Sequence, residues 1–217
     1  MCGFVGYVND TPDKSVNEKI IKDMADRIRH RGPDQDDYYV DSSVSLGFRR
    51  LSIIDLDGGS QPILNEDGTK VLVFNGEIYN YQPIREELIK KGHVFRTKTD
   101  SEVLLHGYEE YGCELLNKLR GMFAFVIWDS TEKKLFGARD IFGIKPFFYY
   151  LKNGNFLFGS EIKSFLSNPL FEKELNEERL PDYLCFEYIP TTETMFKNVY
   201  KMGPGSYFTF SDGNFET

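Results

Sequence analysis

The chain has 217 residues, 41% hydrophobic and 28% charged, with a formal net charge of −8. That length allows one domain with a sizeable core or two small ones, and the acidic balance argues against nucleic acid or an anionic membrane as a partner. No stretch is apolar for long enough to span a membrane, and the N-terminus lacks the basic region of a secretory signal, so a cytoplasmic protein is expected.

The first residues are Met1-Cys2-Gly3-Phe4-Val5-Gly6. Once Met1 is removed, Cys2 carries a thiol and a free α-amine on one residue. An α-amine has an unperturbed pKa near ~8, so it can serve as base for its own side chain. Gly3 and Gly6 leave bare backbone against which a substrate can lie, and Phe4-Val5 reads as a buried strand. A buried cysteine packed as a small apolar residue is the plain alternative.

Ser15-Val16-Asn17-Glu18 has capping-box spacing, and Ile20, Ile21, Met24 and Ile28 mark one helix face that ends before Arg31-Gly32-Pro33-Asp34. Strands are expected near 38–40 and 44–51, with Ser52–Leu56 extended and Asp57-Gly58-Gly59-Ser60 a turn. Val71–Phe74 reads as a short strand ending on Asn75-Gly76-Glu77. Pro83 and Gly92 bound a helix. Val94–Thr97 reads as a strand, and Thr99 with Glu102 as a capping box for a helix bearing Val103, Leu104 and Tyr108. Met122–Trp128 with Lys134–Arg139, and Phe147–Leu151 with Phe156–Gly159, read as hairpins. A charged helix near Asn176–Arg179, broken by Pro181, leads into extended residues to Thr217. Strands grouped in runs with helices between them favour antiparallel sheets and an α+β fold. Cys2, Cys113 and Cys185, and likewise His30, His93 and His106, are scattered, so neither a disulfide framework nor a metal site is expected.

Seven separated segments then match one family in order. They are Cys2-Gly3, His30-Arg31-Gly32-Pro33-Asp34, Arg50-Leu51-Ser52-Ile53 and Asn75-Gly76-Glu77-Ile78-Tyr79-Asn80, followed by Thr99-Asp100-Ser101-Glu102, Arg120-Gly121-Met122-Phe123-Ala124-Phe125 and Ala138-Arg139-Asp140. Together they resemble the glutaminase domain of glutamine-hydrolysing asparagine synthetases, class II amidotransferases of the N-terminal-nucleophile hydrolase superfamily. The resemblance runs from Cys2 to about Tyr150 and more thinly beyond. It implies a four-layer αββα sandwich over residues 1–217, with the region from about 172 onward leading toward a separate synthetase domain.

It also implies hydrolysis of L-glutamine to glutamate and ammonia through a γ-glutamyl thioester on Cys2. Asn75 and Gly76 match the oxyanion donors, whereas Asn-Gly alone signals a type I′ hairpin turn. Arg50 matches the residue that holds the substrate carboxylate, which a guanidinium fork suits. Arg49 must face the other way along the strand, and reads as a surface charge. Leu51, Ser52, Ile53 and Ile54 continue the pocket wall, and Glu77 and Asp100 match the acidic residues at the substrate ammonium. Asp100 also suits the first turn of a helix. Arg31–Asp34 borders the pocket without an assigned role. Phe48 stands where relatives often have histidine, which removes no catalytic group.

By the same resemblance this domain needs no cofactor or metal. ATP and magnesium belong to the synthetase domain, whose Ser-Gly-Gly-x-Asp-Ser phosphate loop does not occur in this sequence. The implied partners are L-glutamine, that domain in cis and, as one assembly, a second copy in a homodimer. A sugar or phosphoribosyl acceptor is the alternative within the superfamily. A non-catalytic glutamine-binding module is the alternative if Met1 is retained.

Overall fold

The computed structural model describes residues 2–51 and 60–217. The first half runs β1 (Gly3–Val8), α1 (Lys14–Asp26), β2 (Gln35–Val40), β3 (Val44–Arg50), β4 (Ile63–Leu64), β5 (Lys70–Ile78), α2 (Tyr81–Lys90), α3 (Ser101–Tyr111) and α4 (Leu115–Lys118). The second half runs β6 (Gly121–Asp129), β7 (Lys134–Arg139), β8 (Phe148–Lys152), β9 (Asn155–Gly159), α5 (Leu180–Phe186), β10 (Val199–Lys201), β11 (Tyr207–Ser211) and β12 (Asn214–Glu216). The strands form two antiparallel sheets, ordered β10-β8-β9-β1-β3-β2 and β12-β11-β7-β6-β5-β4.

Alternation along the strands makes the layers. On β5, Val71 and Val73 face the first sheet while Leu72 and Phe74 face the helices. On β6, Ala124, Val126 and Trp128 face inward, and Phe123, Phe125 and Ile127 outward. The inward set meets Phe4, Leu46, Phe48 and Phe158 of the first sheet. The outward set packs beneath α2 and α3 through Ile84, Leu88, Val103, Leu104 and Tyr108. Across the first sheet, Val5 and Tyr7 meet Ile21, Met24 and Ala25 of α1. The order α1, sheet, sheet, α2–α3 is the expected αββα sandwich. Each buried side chain of this size contributes about 1.5–3 kcal/mol, and a one-residue slip would turn every one to the wrong layer. The register is therefore firmly set, and with it the faces of Cys2, Arg50 and Asn75.

Several local expectations are corrected. Asp13, not Ser15, caps α1, its carboxylate accepting from the Ser15 and Val16 N–H groups. Val94–Thr97 forms no strand, because Glu102 accepts the N–H groups of Arg96 and Thr97 at 2.9 and 2.7 Å. That same use of Glu102 dissolves the capping box expected with Thr99. Pro181 sits in the first turn of α5 and starts that helix rather than breaking one. After Gly203-Pro204-Gly205, β11 sends Phe208 and Phe210 into the inter-sheet core. Gly6 does not offer bare backbone to a substrate, because a Cβ there would lie 2.3 Å from the buried Phe158 ring. The extended reading of Ser52–Leu56 and most of the turn after it lie outside the described residues.

Candidate active site

Cys2 stands just before β1 and packs on the inter-sheet core. Because Gly3 pairs with Arg49, the thiol comes beside the end of β3. The Leu51 N–H donates to Cys2 Sγ at 3.5 Å, and the thiol faces the Leu51 carbonyl at 3.7 Å. The Phe4 N–H donates to Ser160 Oγ at 3.1 Å, and the Ser160 N–H returns to the Phe4 carbonyl at 2.9 Å. The strand that carries Cys2 is thus fastened one residue past the glycine.

Arg31 supplies a second fastening that sequence reasoning left unassigned. Its Nε donates to the Cys2 carbonyl at 3.0 Å and its Nη1 to Glu161 Oε1 at 3.0 Å. Glu161 also meets His30 Nε2 at 2.8 Å and Lys163 Nζ at 3.1 Å. Burial opposes its charge, but the hydrogen bonds from Arg31, Lys163 and His30 prevail and hold its carboxyl below the usual range. Arg31 belongs to a segment the sequence singled out, whereas Glu161 lies 130 residues away with no local signal.

Asn75 lies inside β5, paired with Ala124, and Gly76 with Phe123. The ladder continues to Ile78, so the hairpin-turn reading of Asn75-Gly76 fails. Asn75 shares the inward face of Val71 and Val73, is 2% exposed, and its Nδ2 is buried without a hydrogen-bond partner. Among the described residues, β4 pairs with Val71 and Leu72, and beyond them side chains meet the same edge of β5. There Gln61 Oε1 accepts the Phe74 N–H at 2.6 Å, and Asp100 Oδ2 accepts the Ile78 N–H at 2.7 Å. Gly76 falls between these two on the same edge by alternation, and its N–H points outward from it. Any Cβ at Gly76 would lie 2.3 Å from the Met122 carbonyl oxygen, so the ladder admits only glycine.

Asp100 caps the start of α3 and closes this edge. Burial pushes its carboxyl up to about 6, the Ile78 N–H opposes that, and the charge of Glu77 adds to it. Glu77 itself is half-buried on the inward face, two residues beyond Asn75.

Arg50 shares the inner face of Leu46 and Phe48, and its Nη1 donates to Gln35 Oε1 at 2.9 Å. Arg49 faces α1. There it pairs with Asp26, meets Asp36 at 3.1 Å and donates to the Ala25 carbonyl at 3.3 Å. The two side chains do face oppositely, but Arg49 is 5% exposed, a buried structural ion and not a surface charge. Cys2 and Leu51 are in direct contact, Asp100 closes the β5 edge, and Asn75 faces the core on which Cys2 packs. Ser52, Ile53 and Ile54 lie outside the described residues.

Two packed antiparallel sheets with helices on their outer faces carry Cys2 at the head of an interior strand, in the αββα sandwich of a glutamine amidotransferase domain. The glutamine amidotransferase domain family matches residues 1–217, and the chain belongs to it. It is 48% identical over 213 residues to asparagine synthetase [glutamine-hydrolyzing] 1 of Bacillus subtilis, covering 96% of this chain and 33% of that protein. It is 43% identical over 214 residues to asparagine synthetase [glutamine-hydrolyzing] 2 of the same organism, covering 95% and 28%. The chain therefore spans about a third of the length of these relatives. Among solved structures, the glutamine phosphoribosylpyrophosphate amidotransferase of B. subtilis, complexed with ADP and GMP, matches with a TM-score of 0.70 at 17% identity. That match covers 99% of this chain and 48% of the other and shows the shared fold alone.

Proposed function

We propose that this chain hydrolyses L-glutamine to glutamate and ammonia, and that in a longer protein the ammonia feeds ATP-dependent asparagine synthesis from aspartate. The observation that carries the reading is the buried Asn75 Nδ2, a donor held without an acceptor. Leaving such a group unpaired costs about 1–3 kcal/mol, which is repaid when an oxyanion forms in front of it. In this mechanism the Cys2 amine takes the thiol proton and the thiolate attacks the δ-carbon of glutamine. Asn75 Nδ2 and the Gly76 N–H stabilise the oxyanion, the amine returns the proton to the departing ammonia, and water cleaves the thioester. Arg50 holds the α-carboxylate, and Glu77 with Asp100 holds the α-ammonium. Leu51, Ser52, Ile53 and Ile54 line the wall, and Arg31 holds the Cys2 carbonyl.

The identities of 48% and 43% to asparagine synthetases favour asparagine synthesis over a sugar or phosphoribosyl acceptor. The phosphoribosyl enzyme shares the fold at an identity too low to bear on the acceptor. The domain is read as spanning 1–217, partnered in cis by a synthetase domain that holds the ATP and magnesium. No described helix is long and apolar enough to cross a membrane. A cytoplasmic location and a homodimer belong to the same reading. Release of glutamate and ammonia from glutamine, measured on chain whose N-terminus is shown to be Cys2, tests it. No release from such chain refutes it.

Two kinetic results separate the substrate contacts. Arg50→Ala should raise KM for glutamine roughly 10- to 100-fold, the equivalent of a charged hydrogen bond. Arg49→Ala should leave KM unchanged and lower Tm, because its partners are Asp26, Asp36 and the Ala25 carbonyl. Equal KM effects would contradict the facing of the two strand residues.

The second result concerns pH. A carboxyl raised to about 6 loses its charge as pH falls through that value, and with it the attraction for the substrate ammonium. KM for glutamine should therefore rise as pH drops through about 6, with kcat affected less, and Asp100→Asn should abolish that inflection. Persistence of the inflection in the variant would assign it to another group.

A further inference from the structure

On the outer side of the second sheet, two histidines thirteen residues apart in sequence come together with a glutamate from a third segment. Their rings lie 5.2 Å apart, centroid to centroid. His106 projects from α3 and is 2% exposed, with Phe95 edge-on to it at 4.6 Å. His93 comes from the connection between α2 and α3, and Glu66 from the turn after β4.

We propose that Glu66, His93 and His106 form a binding site for one divalent transition-metal ion, with zinc(II) the best match. Each residue offers one ligand atom, and the three atoms lie within 4.8 Å of one another. A tetrahedral zinc ion holds nitrogen and oxygen ligands at about 2.0–2.2 Å, so they stand roughly 3.4 Å apart. Glu66 Oε2 is 3.7 Å from His106 Nδ1, and Glu109 Oε2 is 3.1 Å from that same nitrogen. These two separations bracket the tetrahedral value. Glu109 Oε2 is also 3.8 Å from His93 Nδ1, so this carboxylate flanks the two histidines beside the three ligands. Two imidazoles with carboxylates suit zinc; calcium and magnesium favour all-oxygen sets.

The surroundings are those of a supported site. Asn65 Nδ2 donates to Glu109 Oε1 at 2.7 Å, and the Val94 N–H donates to Glu66 Oε1 at 3.2 Å. Each carboxylate thus has one oxygen held while the other faces the histidines, the outer-sphere orientation that metal ligands require. Lys91 Nζ takes Glu110 at 2.6 Å, so this lysine is engaged outside the pair Glu66 and Glu109. An ion here would join α3 and the turn after β4 to the connection that ends on Asp100.

Titration of the thiol-alkylated 217-residue chain with zinc(II) by calorimetry, and with cobalt(II) by visible absorption, tests the proposal. Alkylation is needed because Cys2, Cys113 and Cys185 are free. The expected result is one equivalent bound, tetrahedral cobalt bands, and a Tm that rises with zinc concentration. His93→Ala and Glu66→Gln, which spare the buried histidine, should each weaken binding on the order of tenfold or more. Absence of saturable binding, or unchanged affinity in these variants, overturns the proposal. A correctly folded variant is recognised by a metal-free Tm matching that of the parent.

Discussion

Replacing Asn75 with alanine should lower kcat for glutamine hydrolysis by roughly 10²–10³, with KM changing far less. One oxyanion donor is worth that much in acyl transfer, and its partner charge exists in the transition state and hardly at all in the bound amide. Stability adds a second, independent readout. The Asn75 amide nitrogen is buried without a partner, so its removal relieves an unsatisfied donor. Tm should therefore stay constant or rise while turnover collapses. A purely structural asparagine would behave in the opposite way, losing Tm with turnover per folded molecule intact. Gly76→Ala is no substitute for this experiment, because its Cβ would strike the Met122 carbonyl and disturb β5 itself.

Cys2→Ser should remove nearly all hydrolysis, by several orders of magnitude, without a comparable loss of glutamine binding. A hydroxyl is far harder to deprotonate than a thiol, so the same amine activates it much less well in a site built around sulfur. Among the described residues, no side chain that could replace this base is hydrogen-bonded to the thiol. Cys2 Sγ meets the Leu51 backbone, and His30, the histidine nearest in sequence, is engaged with Glu161. The same reasoning makes retention of Met1 equivalent to losing the base, since the Cys2 nitrogen is then an amide. Chain retaining Met1 should bind glutamine and not turn it over.

The inner strands were legible as short continuous apolar runs. Val71–Phe74 and Met122–Trp128 read correctly as strands on that ground, and the fold shows why they are apolar throughout: their side chains alternate with a period of two between two cores. The opposite facing of Arg49 and Arg50 followed from the same period of two. What that period could not reveal was the environment on each face, so Arg49 read as a surface charge although α1 buries it against Asp26 and Asp36. Segments ordered by distant side chains were illegible for a related reason. Glu102 looks like half of a capping box, yet it serves Arg96 and Thr97 and removes the strand expected there.

The candidate site divides along the same line. Cys2, Arg50, Asn75 and Asp100 stood in short segments whose resemblance to a family could be recognised. The pairing of Arg31 with Glu161, and the meeting of His93 with His106 and Glu66, depend on separations that only the folded chain closes. Asn75-Gly76 shows how local chemistry misleads. The dipeptide favours a turn by itself, but pairing with Ala124 and Phe123 keeps it in a strand and aims the amide inward.

The proposed hydrolysis proceeds through covalent attack by Cys2, and trapping the intermediate shows whether that bond forms. Chain with a processed N-terminus is mixed with glutamine, quenched in acid within the first turnover, digested and mapped by mass spectrometry. A glutamyl adduct on the peptide beginning at Cys2, labile to hydroxylamine and absent from chain retaining Met1, is the predicted result. Turnover without any adduct, an adduct on Cys113 or Cys185 instead, or an adduct on Cys2 in chain that keeps Met1 would contradict it.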